Sequence, residues 1–98
     1  MNHSNTVRSV DAHVTEYKKI QADDPDVPPH IMGETNSLYN QGKPGLSNSF
    51  GAALWGVDFN LYCASVGIRR VHMHMGTNYR VSNLAAARET QTQAYRYE

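Results

Sequence analysis

At 98 residues the chain is large enough for one small domain and no more. Nine Lys+Arg balance nine Asp+Glu, so no charge surplus argues for a nucleic acid, an anionic membrane or a polyanion as partner. The single cysteine, Cys63, excludes a disulfide framework and disfavours a cysteine-based zinc site, and no apolar stretch approaches the roughly 20 residues of a membrane span.

In chain order, residues 4–22 predict a helix. Val7, Val10, Val14, Tyr17 and Ile20 recur at steps of three and four and make one apolar stripe. Ser4 to Thr6 offer capping oxygens at its start, and Asp11, Glu16, Lys18 and Lys19 fall on the solvated side. Residues 23–29, DDPDVPP, end that helix, because three prolines in five positions favour an extended path. His30 to Glu34 then form a short, mostly apolar run of the kind found in buried parallel strands.

Residues 35–48 read as a loop long enough to be functional, with Gly42, Pro44 and Gly45 inside it. Ser47 or Asn48 is placed to cap a second helix over roughly 49–66, which is apolar on most faces and expected to be more buried than the first. Trp55, Phe59 and Phe50 read as packing residues, Cys63 as buried and inert, Asp58 as a solvated or capping carboxylate, and Gly67 as the stop. Residues 68–75 alternate as a strand, with Val71, Met73 and Met75 on one face and Arg70, His72 and His74 on the other. A loop follows at Gly76 to Tyr79, and from Val81 onward the chain is polar, weakly helical and without a core pattern.

The order helix, strand, loop, helix, strand is that of a parallel sheet with crossover helices. Two strands and two helices cannot cover both faces of such a sheet, so the pattern reads as a slice of a larger α/β barrel or sheet. In α/β barrels the chemistry sits where strands end and loops begin, which singles out Glu34 and the Gly76–Tyr79 loop. On spacing alone Glu34 reads more readily as a surface glutamate at a loop edge.

The runs Met32-Gly33-Glu34-Thr35-Asn36-Ser37, Tyr39, Gly42 to Ser47, Phe50-Gly51-Ala52-Ala53, Gly67-Ile68 and Gly76-Thr77-Asn78-Tyr79 together resemble glycoside hydrolase family 79, the family of heparanases and of fungal and bacterial β-glucuronidases. The resemblance covers residues 1–80 and is closest to the fungal type. It implies the last two strands, with their helices, of a (β/α)8 TIM barrel, and a divergent tail over 81–98. It implies a carbohydrate partner, a β-glucuronide, and retaining hydrolysis without a cofactor. Glu34 matches the family's nucleophile at the end of the seventh barrel strand. Tyr39 and Tyr79 match loop tyrosines that hold the uronic-acid carboxylate, and Gly76 lets the backbone approach the sugar. His72 is read as lining the barrel mouth.

Alternatives stand beside these assignments. The tyrosines also suit packing on a barrel rim, and His72 and His74 also suit core or rim packing or a metal pair, although no third ligand lies near them in sequence. The family's acid/base glutamate follows an asparagine, and no Asn-Glu dipeptide occurs here. The family's flanking β-sandwich is absent as well. The chain is therefore expected to be a truncated piece of the barrel, either inactive alone or serving as an interaction piece through its bare sheet edges. The N-terminus, MNHSNTVRSV, has no signal-peptide core although family members are often secreted, and the compartment stays open.

Overall fold

A computed structural model of the protein describes residues 2–38 and 42–74. They form α1 (His3–Asp23), β1 (Ile31–Thr35), α2 (Phe50–Ser65) and β2 (Arg70–Met73), with the two strands paired in parallel. The order and the parallel pairing agree with the sequence pattern. The fold is a small α/β unit, with helices over one face of a two-stranded sheet.

The cap of α1 lies earlier than expected. Asn2, rather than Ser4 to Thr6, accepts the Asn5 N–H on its side chain at 3.0 Å, because it is the last residue with extended backbone before the helix. Only the N-terminal half of the α1 stripe is covered: Val10 and Val14 are buried, Val7 and Tyr17 half-buried, and Ile20 is 53% exposed. The C-terminal half is fastened instead to the segment that leads into β1. The Tyr17 ring stacks on His30 with centroids 4.7 Å apart, and its hydroxyl donates to the Pro28 carbonyl at 3.1 Å.

The loop before α2 also differs in detail. Ser49 caps α2, accepting from the Ala52 N–H and donating to the Leu46 carbonyl. Ser47 and Asn48, the expected caps, close the preceding turn by accepting from the N–H groups of Lys43 and Gly45. At the far end the Ile68 N–H donates to Cys63 and the Gly67 N–H to Ala64, with Gly67 at φ 87°. This is a Schellman stop, and its left-handed position is the reason for a glycine there. Ile68 leaves the helix directly into the core, beside Cys63.

That core consists of Val10, Val14, Phe59, Cys63 and Ile68, with Met32, Trp55 and Val71 packed against it from the sheet and α2. Burial pushes the Cys63 thiol up, which agrees with an inert cysteine. Phe50 is a correction: at 77% exposure it is not a packing residue. It begins a stripe with Leu54, Val57 and Leu61, all more than half exposed, so α2 is apolar on most faces yet covered on one. The strands are likewise covered on one side. Met32 and Val71, a cross-strand pair, face the helices, while the next pair, Ile31 and Arg70, is exposed.

Polar side chains tie the helices together along their rim. The Tyr62 hydroxyl donates to Asp11 at 2.7 Å, and His3 Nδ1 meets the Asp58 carboxylate at 2.7 Å. Asp58 is thus engaged across the helix pair rather than merely solvated. The bond to Asp11 pushes the Tyr62 phenol above its ordinary 10.0, since ionisation would set two anions against each other.

Two predictions follow from this packing. Val10→Ala lowers stability by about 2 kcal/mol, two methylene equivalents plus a cavity, whereas Phe50→Ala changes it by less than about 0.5 kcal/mol; urea titrations of the two variants measure the contrast. The His3 imidazole holds the Asp58 carboxyl below its ordinary 3.8. A depressed carboxylate stabilises fully above its unfolded value, and that contribution is lost as pH falls through the lower folded value. A carbon-detected NMR titration should place the Asp58 midpoint below 3.8, and His3→Ala should return it towards that value.

Candidate active site

Glu34 is the penultimate residue of β1, at the strand end where the sequence put it. Its side chain is 72% exposed, so it is neither buried under its own helix nor shut in the core. Simple alternation from the core-facing Met32 would turn Glu34 towards the helices. The strand avoids this with one extra residue. Met32 pairs with Val71 and Thr35 with Met73, so β1 uses three steps where β2 uses two. Such a bulge re-aims side chains at strand ends. The result is that Glu34 Oε1 stands 3.4 Å from Nδ1 of His74, the residue just past β2.

Gly33 lies inside this irregular stretch. A Cβ built on Gly33 meets nothing within 4 Å, and its φ is not positive, so the backbone alone does not demand glycine there.

Main-chain bonds hold the two strand ends together. The His74 N–H donates to the Thr35 carbonyl at 2.8 Å, and the Asn36 amide donates to the His74 carbonyl at 3.3 Å. The Asn36 side-chain oxygen accepts from the Ser37 N–H at 2.9 Å, which turns the chain out of the strand. Behind this end of β1 lies an open cleft of about 630 Å³, bounded by Asn5, Ser9 and His13 of α1, by Glu34 to Ser37, and by Trp55.

An exposed His–Glu contact adds at most about 1 kcal/mol to stability. Its chemical meaning is different. An ionised glutamate is an oxygen nucleophile towards carbon or a general base, and a single imidazole N–H can orient it without blocking both oxygens. Three of the other acids are paired elsewhere: Asp58 with His3, Asp11 with Tyr62 and Glu16 with Lys19.

His72 lies on β2 as expected and is exposed. Among the described residues no three His, Cys, Asp or Glu side chains gather as a metal site, so His72 and His74 have no third ligand there. Tyr39, Gly76 and Tyr79 lie outside the described residues. No helix among the described residues is long and apolar enough to cross a membrane. Sequence reasoning missed Asn36 as the strap between the strand ends and His74 as the neighbour of Glu34. A glycine inside a five-residue strand was the available signal for the irregular pairing that joins them.

The site is therefore of the carboxylate class, an exposed glutamate at the end of a parallel strand beside a histidine from the next strand. Two fungal proteins are similar to the chain that carries it. A β-glucuronidase of Neurospora crassa is 72% identical over 83 residues, and a β-glucuronidase of Aspergillus niger is 64% identical over 81 residues. These matches cover 85% and 81% of this chain, which spans 15% of the length of either relative. No family model matches the chain, and no solved structure matches it.

The straps at the strand ends give a prediction. Asn36→Ala removes the bond to the His74 carbonyl and the one from the Ser37 N–H, and costs about 1–2 kcal/mol. Amide exchange at His74 and Ser37 should quicken, while exchange in the middle of α2 should stay unchanged.

Proposed function

We propose that the chain carries the nucleophile strand of a retaining β-glucuronidase of glycoside hydrolase family 79, with Glu34 as nucleophile. The observation that carries this reading is the 72% identity to a β-glucuronidase over a stretch that covers 85% of the chain. The exposed position of Glu34 at a strand end supports it. In this reading β1 and β2 are the last two strands of a (β/α)8 barrel, residues 1–80 belong to the catalytic barrel, and 81–98 form a tail.

Retaining hydrolysis uses two carboxyls about 5–5.5 Å apart. A Glu34 oxygen attacks the anomeric carbon and forms a glycosyl–enzyme ester. The bond to the aglycone oxygen breaks, and that oxygen takes a proton from the second carboxyl. Water, deprotonated by the same group, then cleaves the ester and frees Glu34. Among the described residues no second carboxyl is seen beside Glu34, so the acid/base group of the complete site comes from elsewhere. Tyr39 and Tyr79 donate to the uronate carboxylate, a charge-assisted hydrogen bond that favours a uronic acid over a neutral sugar. Gly76 and His72 line the sugar site.

A second reading rests on a separate observation. The exposed stripe of Phe50, Leu54, Val57 and Leu61 and the uncovered sheet face suit a non-catalytic chain that works by docking to another polypeptide.

A chimera decides between them. The matched segment of the Neurospora crassa β-glucuronidase is replaced by this chain's matched residues, and hydrolysis of an aryl β-glucuronide is measured. The chimera is expected to be active and to lose about 10⁴-fold or more in kcat with Glu34→Gln. Glu34→Ala with azide should release an α-configured glycosyl azide, because azide attacks from the face the carboxylate has vacated. The 98-residue chain alone should show no turnover. An active Glu34→Gln chimera would refute the assignment, and an inactive but folded chimera would favour the docking reading.

A further inference from the structure

A carboxylate that attacks carbon must present one oxygen along a fixed line, and misplacement by about 1 Å can cost on the order of 100-fold. Glu34 cannot hold that line through packing, because its side chain is 72% exposed. Its neighbour His74 is held better. The imidazole is 35% exposed, and the backbone of the same residue is fastened to Thr35 and Asn36. Residue 74 thus touches three consecutive residues at the end of β1, one through its ring and two through its main chain. His72, two residues earlier, forms no such link to Glu34.

We propose that His74 is a positioning residue for Glu34, its Nδ1–H directed at Oε1 so that Oε2 is turned free for attack. The catalytic meaning of this contact rests on Glu34 being the nucleophile; the contact itself does not. The chemistry suits the task. A bidentate guanidinium would occupy both carboxylate oxygens and hold down their nucleophilicity, whereas one imidazole N–H leaves the second oxygen unencumbered. The separation of 3.4 Å is longer than a well-formed N–H···O bond, and such contacts in unliganded sites tighten once substrate is bound. Tautomer choice is the signature: the ring nitrogen that carries the proton is set by the partner it meets, and a carboxylate at Nδ1 selects Nδ1–H.

The full chain, labelled with ¹⁵N at histidine, tests the contact directly. At a pH of about 8, where an ordinary imidazole is neutral, the two His74 ring nitrogens report the tautomer. The expected result is Nδ1–H in the unmodified chain and a shift towards Nε2–H in Glu34→Ala. Because Glu34 is exposed, that variant keeps its fold, which the remaining histidine signals verify. In the active chimera, His74→Phe should lower kcat about 10- to 100-fold with KM nearly unchanged, and His74→Gln, which keeps a donor, should recover most of the loss. An unchanged tautomer in Glu34→Ala would overturn the inference, as would a His74→Phe chimera with kcat within about twofold of the parent. If Glu34→Gln leaves the chimera active, the nucleophile assignment fails instead, and the tautomer measurement still judges the contact.

Discussion

The parallel pairing of β1 with β2, with its extra residue between Met32 and Thr35, is the constraint on which the site depends. Parallel strands cannot be joined by a tight turn, so α2 must carry the chain back along the sheet. The Schellman stop at Gly67 ends that return at a fixed place and turns Ile68 into the core next to Cys63. Two residues later β2 begins. The Arg69 N–H donates to His30 at one end of the pair, and the His74 N–H donates to Thr35 at the other. Glu34 and His74 meet because these main-chain bonds hold the strand ends together, and not because the side chains themselves are packed.

The same arrangement explains why the core lies on one side. α1 and α2 cover the face that carries Met32 and Val71, and the alternating residues have no covering element among those described. A helix that is apolar all round normally has neighbours all round. α2 has such a sequence but shows a buried side at Ala52, Phe59 and Cys63 and a bare one at Leu54, Val57 and Leu61. The bare residues follow steps of three and four, the spacing of a surface built to pack on another helix. The polar bonds on the helix rim, Tyr62 to Asp11 and His3 to Asp58, join the two helices along the edge of their shared core.

Much of the architecture was legible because its signals are local. The apolar stripe of α1, the prolines that end it, the glycine that stops α2 and the alternation of β2 each depend on neighbours a few residues apart. The caps were misplaced, by two to four residues at α1 and by one or two at α2, because several oxygen-bearing side chains stand in a row at both helix starts, and backbone geometry decides which of them turns inward. Phe50 was misread because its class is apolar, whereas its exposure depends on what lies opposite. The position of Glu34 at a strand end was legible, and its partner was not. Alternation alone cannot foresee that one strand spends an extra residue, and that residue changes which way the carboxylate turns.

The energetic scale of the Glu34–His74 contact bears on why the pair is there at all. An exposed imidazole–carboxylate pair contributes little to folding, and the strand ends are already joined by the Thr35 and Asn36 bonds. Stability therefore does not call for a histidine at 74 or a glutamate at 34; threonine or valine would suit a strand end as well. A carboxylate placed in solvent beside a histidine able to donate one bond adds little to packing and stands accessible from solvent. The pair therefore meets through the main-chain register of the two strand ends, and not through any sizeable gain in folding free energy from the contact itself.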